Sequence, residues 1–497
     1  MNHTEQFLAD LKAQEDVNTN PLVDPAEPTD AGSDAVTSRE RTVVDTSTGA
    51  KDGQNKCKKC GATDISYDIE SGTLQCKFCH NKQMPEKFDL VNADISELEG
   101  IQIGSGADDI QKDAPSIITL KCQSCGAEVV INTAESTQSR CHWCRNTLSL
   151  NEQVPNGAVP DMVLPFAITK DQGKAELEKF VKKRRFYAHP KFLKEFSSDN
   201  IFGVYLPYMI VDLKANANMS GEGEILLRKY TEETGTGKNK TKTTYYDAKA
   251  YNISRNFDIN INDLSIEGSQ DKLERNSKND TKNVINAVMP FDVENSVKWD
   301  ANFLKGYHSE KRDIDIDGIR PHITKQARDI ARFKANETIK EYNRGVKWES
   351  DDITVSGERW LSAYFPIWLY SYQQDKGKNK KLLHYTAVNA RTKETMGSIP
   401  LNIPKLLLFS FLIGIVCLIA SFFVDAGEYD WLVALGGIAY YFYILSKYRN
   451  KSSRHYHEKE TGSDMKNITG TDDYFGTRTR LRSPNIVGKN NYSLVKE

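Results

Sequence analysis

Eight cysteines constrain this chain more than anything else in it. They stand as Cys57-Lys-Lys-Cys60, Cys76-Lys-Phe-Cys79, Cys122-Gln-Ser-Cys125 and Cys141-His-Trp-Cys144. In each half, 15 residues separate the leading pair from the next (61–75 and 126–140), and the set recurs 65 positions on, from 57 to 122. The flanks recur as well. Lys56 and Gly61-Ala62 match Lys121 and Gly126-Ala127, Phe78 matches Trp143, and Asn81 matches Asn146. This is the pattern of a duplicated module.

Four thiolates at the corners of a tetrahedron suit Zn(II), with Zn–S bonds near ~2.3 Å. A CxxC turn lets two sulfurs approach one ion, and the intervening stretch is long enough for a hairpin that brings the second turn round. The glycine after each leading pair supplies the backbone angle such a turn needs. Two small β zinc ribbons are therefore expected. One Zn(II) would be held by Cys57, Cys60, Cys76 and Cys79, and a second by Cys122, Cys125, Cys141 and Cys144, each in a closed structural site. Disulfides are the poorer account, because nothing marks a secreted chain. CxxC redox chemistry is poorer too, because no βαβ pattern surrounds the pairs. His80 and His142 adjoin complete sulfur sets and are expected to face solvent.

A length of 497 residues has room for two to four units. The formal net charge of −2 gives no global field that would draw nucleic acid or an acidic surface. Residues 1–54 are rich in Asp, Glu, Thr, Ser and Pro, and read as a disordered acidic segment with one short helix at 4–15. Met-Asn-His-Thr-Glu-Gln has neither a basic start nor an apolar run, so no signal peptide is expected and the amino end belongs in a reducing cytoplasm. Ribbon one occupies 55–84 and ribbon two 119–150. A polar linker at 85–118, with Gly104-Ser-Gly106 as its flexible part, is expected to uncouple them. Ribbon one and its flanks are basic, through Lys51, Lys56, Lys58, Lys59, Lys77, Lys82 and Lys87. A four-thiolate zinc unit carries a formal charge of about −2 and calls for such cations in any case.

From Pro155 the composition changes, and 155–400 reads as an α+β domain with a mainly antiparallel sheet. Thr169 is a candidate N-cap for a helix carrying Leu177, Phe180 and Val181. Lys182-Lys-Arg-Arg185 closes it, where cations suit the helix dipole. That basic end could touch anionic lipid, although a solvated helix end is the simpler account. Tyr251, Ile253, Phe257, Ile259 and Ile261 alternate with polar residues as a one-faced strand, with a bulge or break near Ala250. Residues 231–244 read as a mobile hairpin loop, and Gly235-Thr-Gly-Lys238 within it lacks the spacing of a phosphate loop. Asp313-Ile-Asp-Ile-Asp317-Gly318 begins like a calcium loop, but Thr324 stands at the twelfth position and Pro321 interrupts it. A strand entering a turn fits better. A helix is expected after Pro321, with Ala327, Ile330, Ala331, Ala335, Ile339 and Tyr342 on one face and Gly345 at its end. A fainter repeat relates Gly203-Val-Tyr205-Leu-Pro207-Tyr-Met-Ile210 to Ser362-Ala-Tyr364-Phe-Pro366-Ile-Trp-Leu369, as two halves sharing one sheet.

Residues 406–424 hold no charge and would make a helix of about 28 Å, enough to cross a bilayer. Residues 429–447, belted by tyrosines, read as a second span, so 404–448 is expected to form a transmembrane helical hairpin. The short acidic link Asp425-Ala-Gly-Glu-Tyr-Asp430 would lie outside. Lys405, Lys447, Arg449, Lys451 and Arg454 would hold both ends in the cytoplasm. Cys417 reads as an apolar filler. The tail 451–497 reads as disordered, and its His455-x-His457 pair is not expected to bind metal.

With these residues in view, the chain resembles the bacterial membrane proteins that carry an N-terminal TFIIB-type zinc ribbon. The resemblance rests on the ribbon cysteines, Val163-Leu-Pro-Phe166, Gly203-Val-Tyr-Leu-Pro-Tyr208, Trp360 with Tyr364-Phe-Pro-Ile-Trp368, and Asn389-Ala-Arg-Thr-Lys-Glu-Thr-Met-Gly397. It covers about 55–400 and the membrane hairpin. Met209 stands where that family usually has a Trp, and Asn389-Ala390 where it tends to have Asn-Gly. The resemblance implies a scaffold acting in envelope-stress assemblies, with phage-shock-A-like or virion-core-like proteins as partners.

Three functions compete. The first is a membrane-anchored scaffold or adaptor holding cytoplasmic proteins at the bilayer. The second is a membrane-tethered nucleic-acid binder, for which Phe78 and Trp143 with their flanking cations are the only stacking candidates. Ribbon two offers only Lys121, Arg140 and Arg145 near its cysteines, too few for a strong grip on phosphates, so nucleic acid is not the expected partner. The third is an enzyme. The nine histidines show no HExxH, no nucleophile elbow and no open three-ligand zinc site, so no catalytic residue is expected.

Overall fold

The computed structural model describes residues 41–46, 55–62, 64–107, 117–121, 128–132, 139–140, 147–148, 153–154, 160–235, 241–269, 288–310, 312, 314–375, 381–421, 435–448 and 461–482. Four long strands dominate: β12 (Phe202–Thr234), β13 (Thr241–Glu267), β16 (Val346–Asp375) and β19 (Gly462–Arg482). They lie side by side in the order β16-β12-β13-β19, every neighbour antiparallel. Alternation sets their register. Met209, Val211, Leu213, Ala215, Ala217 and Met219 of β12 and Ile253, Phe257, Ile259 and Ile261 of β13 are all buried. They pack against helix α3 (Ile316–Glu337), which turns Ile319, Ile323, Ala327, Ile330, Ala331 and Ala335 toward them. Full burial of an aliphatic side chain stabilises by roughly 1.5–3 kcal/mol, and a one-residue slip would carry the whole set to the opposite face.

Towards the other end of β12 the sheet is covered on both sides. Val204, Leu206, Tyr208 and Ile210 bury against Leu164, Met289 and Phe291. Tyr205 faces the opposite way, with Phe166, Tyr364 and Trp368, beneath helix α1 (Lys170–Arg184). A capping box starts α1. Thr169 Oγ1 accepts from the Gln172 amide at 3.4 Å, and Gln172 Oε1 accepts from the Thr169 amide at 3.0 Å. A short helix, α2 (Pro190–Glu195), follows. The two Tyr-x-Pro stretches are direct antiparallel neighbours, with Tyr205 opposite Pro366 and Pro207 opposite Tyr364.

Each long strand serves several partners in turn, and the resulting sheet is mixed: most of its strand pairs are antiparallel, as expected, and a few short ones are parallel. β1 (Arg41–Val44) pairs parallel with β5 (Gly100–Gly104), which pairs parallel with β16. β15 (His308–Glu310) runs parallel to β12 and carries β7 (Glu128–Asn132), β6 (Ile117–Lys121) and β10 (Gln153–Val154) beyond it. β11 (Met162–Val163) lies parallel to β16 and antiparallel to β14 (Val297–Lys298). β17 (Lys381–Asn389) and β18 (Thr395–Gly397) complete the β16 side. Separate from this sheet are a three-stranded one, β2 (Ile65–Asp68), β3 (Thr73–Cys76) and β4 (Lys82–Gln83), and the pair β8 (Ser139–Arg140) and β9 (Thr147–Leu148).

Several segments depart from the sequence expectations. Residues 41–44, read as disordered, form β1. Residues 85–107, read as the first part of a linker, enter the core through Phe88, Val91, Ile95, Leu98, Ile101 and Ile103. Residues 231–234 and 241–244, read as loop, extend the β12–β13 hairpin, where Tyr230 stacks on Tyr245 at 5.8 Å. The strand runs unbroken through Ala250. The expected irregularity is a register shift against β19 between Ala250 and Tyr251. α3 begins at Ile316, ahead of Pro321, so Ile316 to Gly318 are helical rather than strand or calcium loop. Pro321 deprives only the exposed Asp317 carbonyl of its helical partner, which the first turns tolerate. Residues 462–482, read as disordered tail, form β19 along β13 from Tyr245 to Asn262. The expected helix at 4–15 and the His455-x-His457 pair lie outside the described residues.

Two buried polar residues pin this assembly. Asp161 accepts from the amides of Gly106 (2.6 Å) and Ser362 (2.7 Å) and from the Thr46 hydroxyl, so it fastens the β1 and β5 ends to β16. Arg359 donates to Asp212 Oδ2 (3.2 Å) and to the carbonyls of Leu90 (3.2 Å) and Ala93 (3.1 Å).

Asp212 sits at a bulge where β13 turns through Asp263 (φ 59°), whose amide donates to Asp212 Oδ1 at 2.9 Å. Burial, and then repulsion from Asp212, raises the Asp263 carboxyl to about 7. The folded state thus keeps a proton that the unfolded chain loses above about 4, so this group lowers stability as pH rises from there to about 7 and has no further effect beyond. Asp263→Asn keeps a side chain that tolerates positive φ, and should stabilise by about 1–2 kcal/mol at neutral pH but much less near pH 4. Thermal melting across pH checks this; an equal gain at both pH values would contradict it.

Among the described residues one helix, Ile403–Ala420, is long and apolar enough to cross a membrane. It forms most of α4 (Ile403–Ser421). Only 11% of that window is buried, so it is no ordinary core helix. The expected two-helix hairpin is not established. α5 (Gly436–Tyr448) has 13 described residues, too few for a span, and 422–434 lie outside the described set. α5 does pack on α4. A Cβ on Gly437 would meet the Ser410 carbonyl at 2.4 Å, so glycine permits the close approach.

Candidate metal centre

Two tight backbone knuckles flank the β2–β3 hairpin. In the first, the Cys57 amide donates to Ala62 O and the Gly61 amide to Cys57 O, both at 2.8 Å, with Gly61 at φ 73°. In the second, the Cys76 amide donates to Asn81 O and the His80 amide to Cys76 O, both at 3.0 Å. Here His80 takes the left-handed place at φ 56°. Its side chain is exposed, so its part in the site is a backbone one, as its position beside a complete sulfur set implies.

These knuckles bring Cys57, Cys60, Cys76 and Cys79 together. Their Sγ atoms all lie within 4.8 Å of one another, with Cys57–Cys79 and Cys60–Cys76 each at 3.6 Å. A tetrahedron with ~2.3 Å metal–sulfur bonds has edges of about 3.8 Å, so the group fits a metal ion such as zinc. Cys57 and Cys76 are buried, Cys79 is half-buried and Cys60 exposed. The Cys60 amide lowers the Cys57 thiol to about 6, and the Cys79 amide lowers Cys76. Cys60 moves the other way, to about 12. The Ala62 amide favours its thiolate, but burial and the neighbouring sulfurs outweigh it. Crowded thiolates of this kind are relieved by one shared divalent cation. Four protein sulfurs leave no open position, which suits a structural ion.

The site is anchored to the main body rather than hung on a spacer. Tyr67 packs on Phe303 with ring centroids 5.0 Å apart. Asn55 Nδ2 donates to Asp300 Oδ2 (3.1 Å), and Asn302 Nδ2 donates back to Asn55 O (2.9 Å). Cys57, Ile65, Leu74 and Cys76 share one core with Trp299 and Phe303. The first ribbon is thus not an independent unit on a free linker, and its relation to the second cysteine set lies outside the described residues. These docking contacts have no local signature, because the partners lie about 245 positions apart.

Cys122, Cys125, Cys141 and Cys144 lie outside the described residues, and so does Trp143. The strands around them keep the 65-residue repeat: β7, β8 and β9 fall close to β2, β3 and β4 shifted by that number. The pairing differs, because β7 joins the main sheet through β6 and β15. No protein-family model, curated protein or solved structure matches this chain.

Proposed function

We propose that this chain is a membrane-anchored zinc-ribbon adaptor that holds cytoplasmic proteins at the bilayer. In this reading both cysteine sets are TFIIB-type ribbons, two Zn(II) are bound per chain, and 404–448 is a transmembrane hairpin with both ends in the cytoplasm. Phage-shock-A-like or virion-core-like partners in an envelope-stress assembly fit the family resemblance. The observation that carries the reading is the way α4 leaves the sheet domain. The Asn402 amide donates to Tyr187 O and the His189 amide to Pro400 O, both at 2.8 Å, and one turn later Leu407, Leu408 and Phe411 are exposed. An apolar helix of spanning length is thus fused to a folded body with no slack between them. Two further contacts support a hairpin. Gly437 and Gly436 of α5 lie by Ser410 and Cys417 of α4, while Tyr448 at the far end of α5 returns to Arg184 beside the start of α4. The helices are therefore antiparallel. β19, which follows them, pairs with β13 on the domain side. On the ribbon, Phe78 and Met84 are exposed, the kind of apolar surface a protein partner covers.

The expected topology is checked by thiol labelling with an impermeant maleimide in intact cells. Gly427→Cys should react from outside and Glu97→Cys only after permeabilisation. External reaction at position 97 would put the sheet domain outside and end the cytoplasmic adaptor reading. Partner recovery from detergent extracts should be lost in Phe78→Ala; unchanged recovery would move docking off this ribbon.

A further inference from the structure

Where α1 meets the apolar helices, the fold builds a feature the adaptor reading leaves unused. After α1, a 3-10 turn (Arg185–Tyr187) lays Phe186 and Tyr187 against Phe409 of α4, with ring centroids 5.1 and 6.1 Å apart. Lys405 Nζ donates to Phe186 O at 2.7 Å and lies 3.9 Å over the Phe186 ring. From α5, Tyr440 and Tyr187 share a hydroxyl hydrogen bond of 2.8 Å, and Tyr448 Oη donates to Arg184 O at 3.0 Å.

These contacts frame a cavity of about 310 Å³ lined by the cations Lys183, Arg184 and Lys447 and by Phe186, Ile444 and Tyr448. Among the described residues no carboxylate lies against any of the three cations. The half-buried Arg184 guanidinium is 3.5 Å over the Phe180 ring and donates only to Phe180 O at 3.4 Å. Most of its five N–H donors are left for something else. A solvated helix end explains cations that point into water. It accounts for the exposed Lys183 and Lys447, but not for the half-buried Arg184, which lines the same cavity with most of its donors unused.

We propose that this cavity binds the phosphate diester of an anionic phospholipid, a site that rests on the membrane reading above. Arg184 offers the planar fork that matches phosphate oxygens, and Lys183 and Lys447 add point charge. Phe186 and Ile444 give the glycerol end an apolar wall. Exposed Leu407, Leu408 and Phe411 start just beyond Lys405, so a lipid held here by its phosphate has its acyl chains alongside α4. Tyrosines and cations at this depth are what a bilayer interface selects.

The test uses the full chain, purified in a non-ionic detergent, stripped of lipid and followed by native mass spectrometry. Phosphatidylglycerol, phosphatidylcholine and inorganic phosphate are the probes. Phosphatidylglycerol should bind roughly tenfold or more tightly than phosphatidylcholine, and the preference should vanish in Arg184→Gln and in the Lys183→Gln/Lys447→Gln pair. Metal content and melting of both variants should match the parent. Equal binding of the two lipids, or a preference that survives in both variants, overturns the site. Full displacement of phosphatidylglycerol by inorganic phosphate assigns the cavity to a free anion and overturns the lipid. Vesicle flotation separates the two readings. Protein that floats with neutral and anionic vesicles alike, without lipid preference, loses this site alone. Protein that floats with neither loses the membrane reading and this site with it.

Discussion

Replacing Cys57 and Cys60 together by Ser should cost the protein one bound metal ion and the whole three-stranded sheet around it. In small zinc modules the apparent binding energy at neutral pH is about 10–16 kcal/mol, and it is largely folding energy. The sheet concerned is only β2, β3 and β4, the last of two residues, so it has few ladder bonds of its own. The damage should also spread. Cys57, Ile65, Leu74 and Cys76 share a core with Trp299 and Phe303, and Tyr67 rests on Phe303. Elemental analysis should fall by one ion per chain, and thiolate-to-metal charge transfer from this site should be lost on cobalt substitution. Amide exchange should quicken in 65–83 and in 299–307. Unchanged metal content would defeat the assignment, and exchange confined to 65–83 would show that the docking contacts carry little energy.

Arg359→Met should be the most destabilising single change in the sheet domain, at about 3–5 kcal/mol, because it leaves the buried Asp212 carboxyl without its cationic partner. It also strips the carbonyls of Leu90 and Ala93 of their donor, at about 1 kcal/mol or more each. Burial already raises the Asp212 carboxyl to about 6, so without the guanidinium it should take up a proton readily. Arg359→Met/Asp212→Asn should recover part of the loss. Thermal melting of the parent, both single variants and the double variant gives the coupling energy. A double variant no more stable than Arg359→Met would show that the carbonyl contacts, not the ion pair, make Arg359 matter.

The parts of this fold that were legible are those whose cause is local. Cysteine spacing placed the first site because a metal knuckle is closed by a few neighbouring amides. Thr169 announced α1, and β13 showed its face because α3 covers one side of it. The two Tyr-x-Pro stretches hinted at a shared sheet and turned out to be paired. What stayed hidden is pairing without a side-chain signature. β1, β5 and β19 are held by backbone bonds to strands far away in sequence, and the solvent-facing parts of β13 and β19 carry Asn, Asp, Thr and Lys as any loop would. Composition sees their polarity but not their partners.

β19 also sets an order of events. It is the last described element, it comes after α4 and α5, and it covers β13 from Tyr245 to Asn262. If those helices cross the bilayer as proposed, the sheet stays open until both have been inserted and the chain has come back. A chain whose second crossing fails would leave its closing strand on the wrong side and a long bare strand edge on the sheet, the kind of surface that recruits other chains. The closing strand would thus register whether both helices had been inserted correctly.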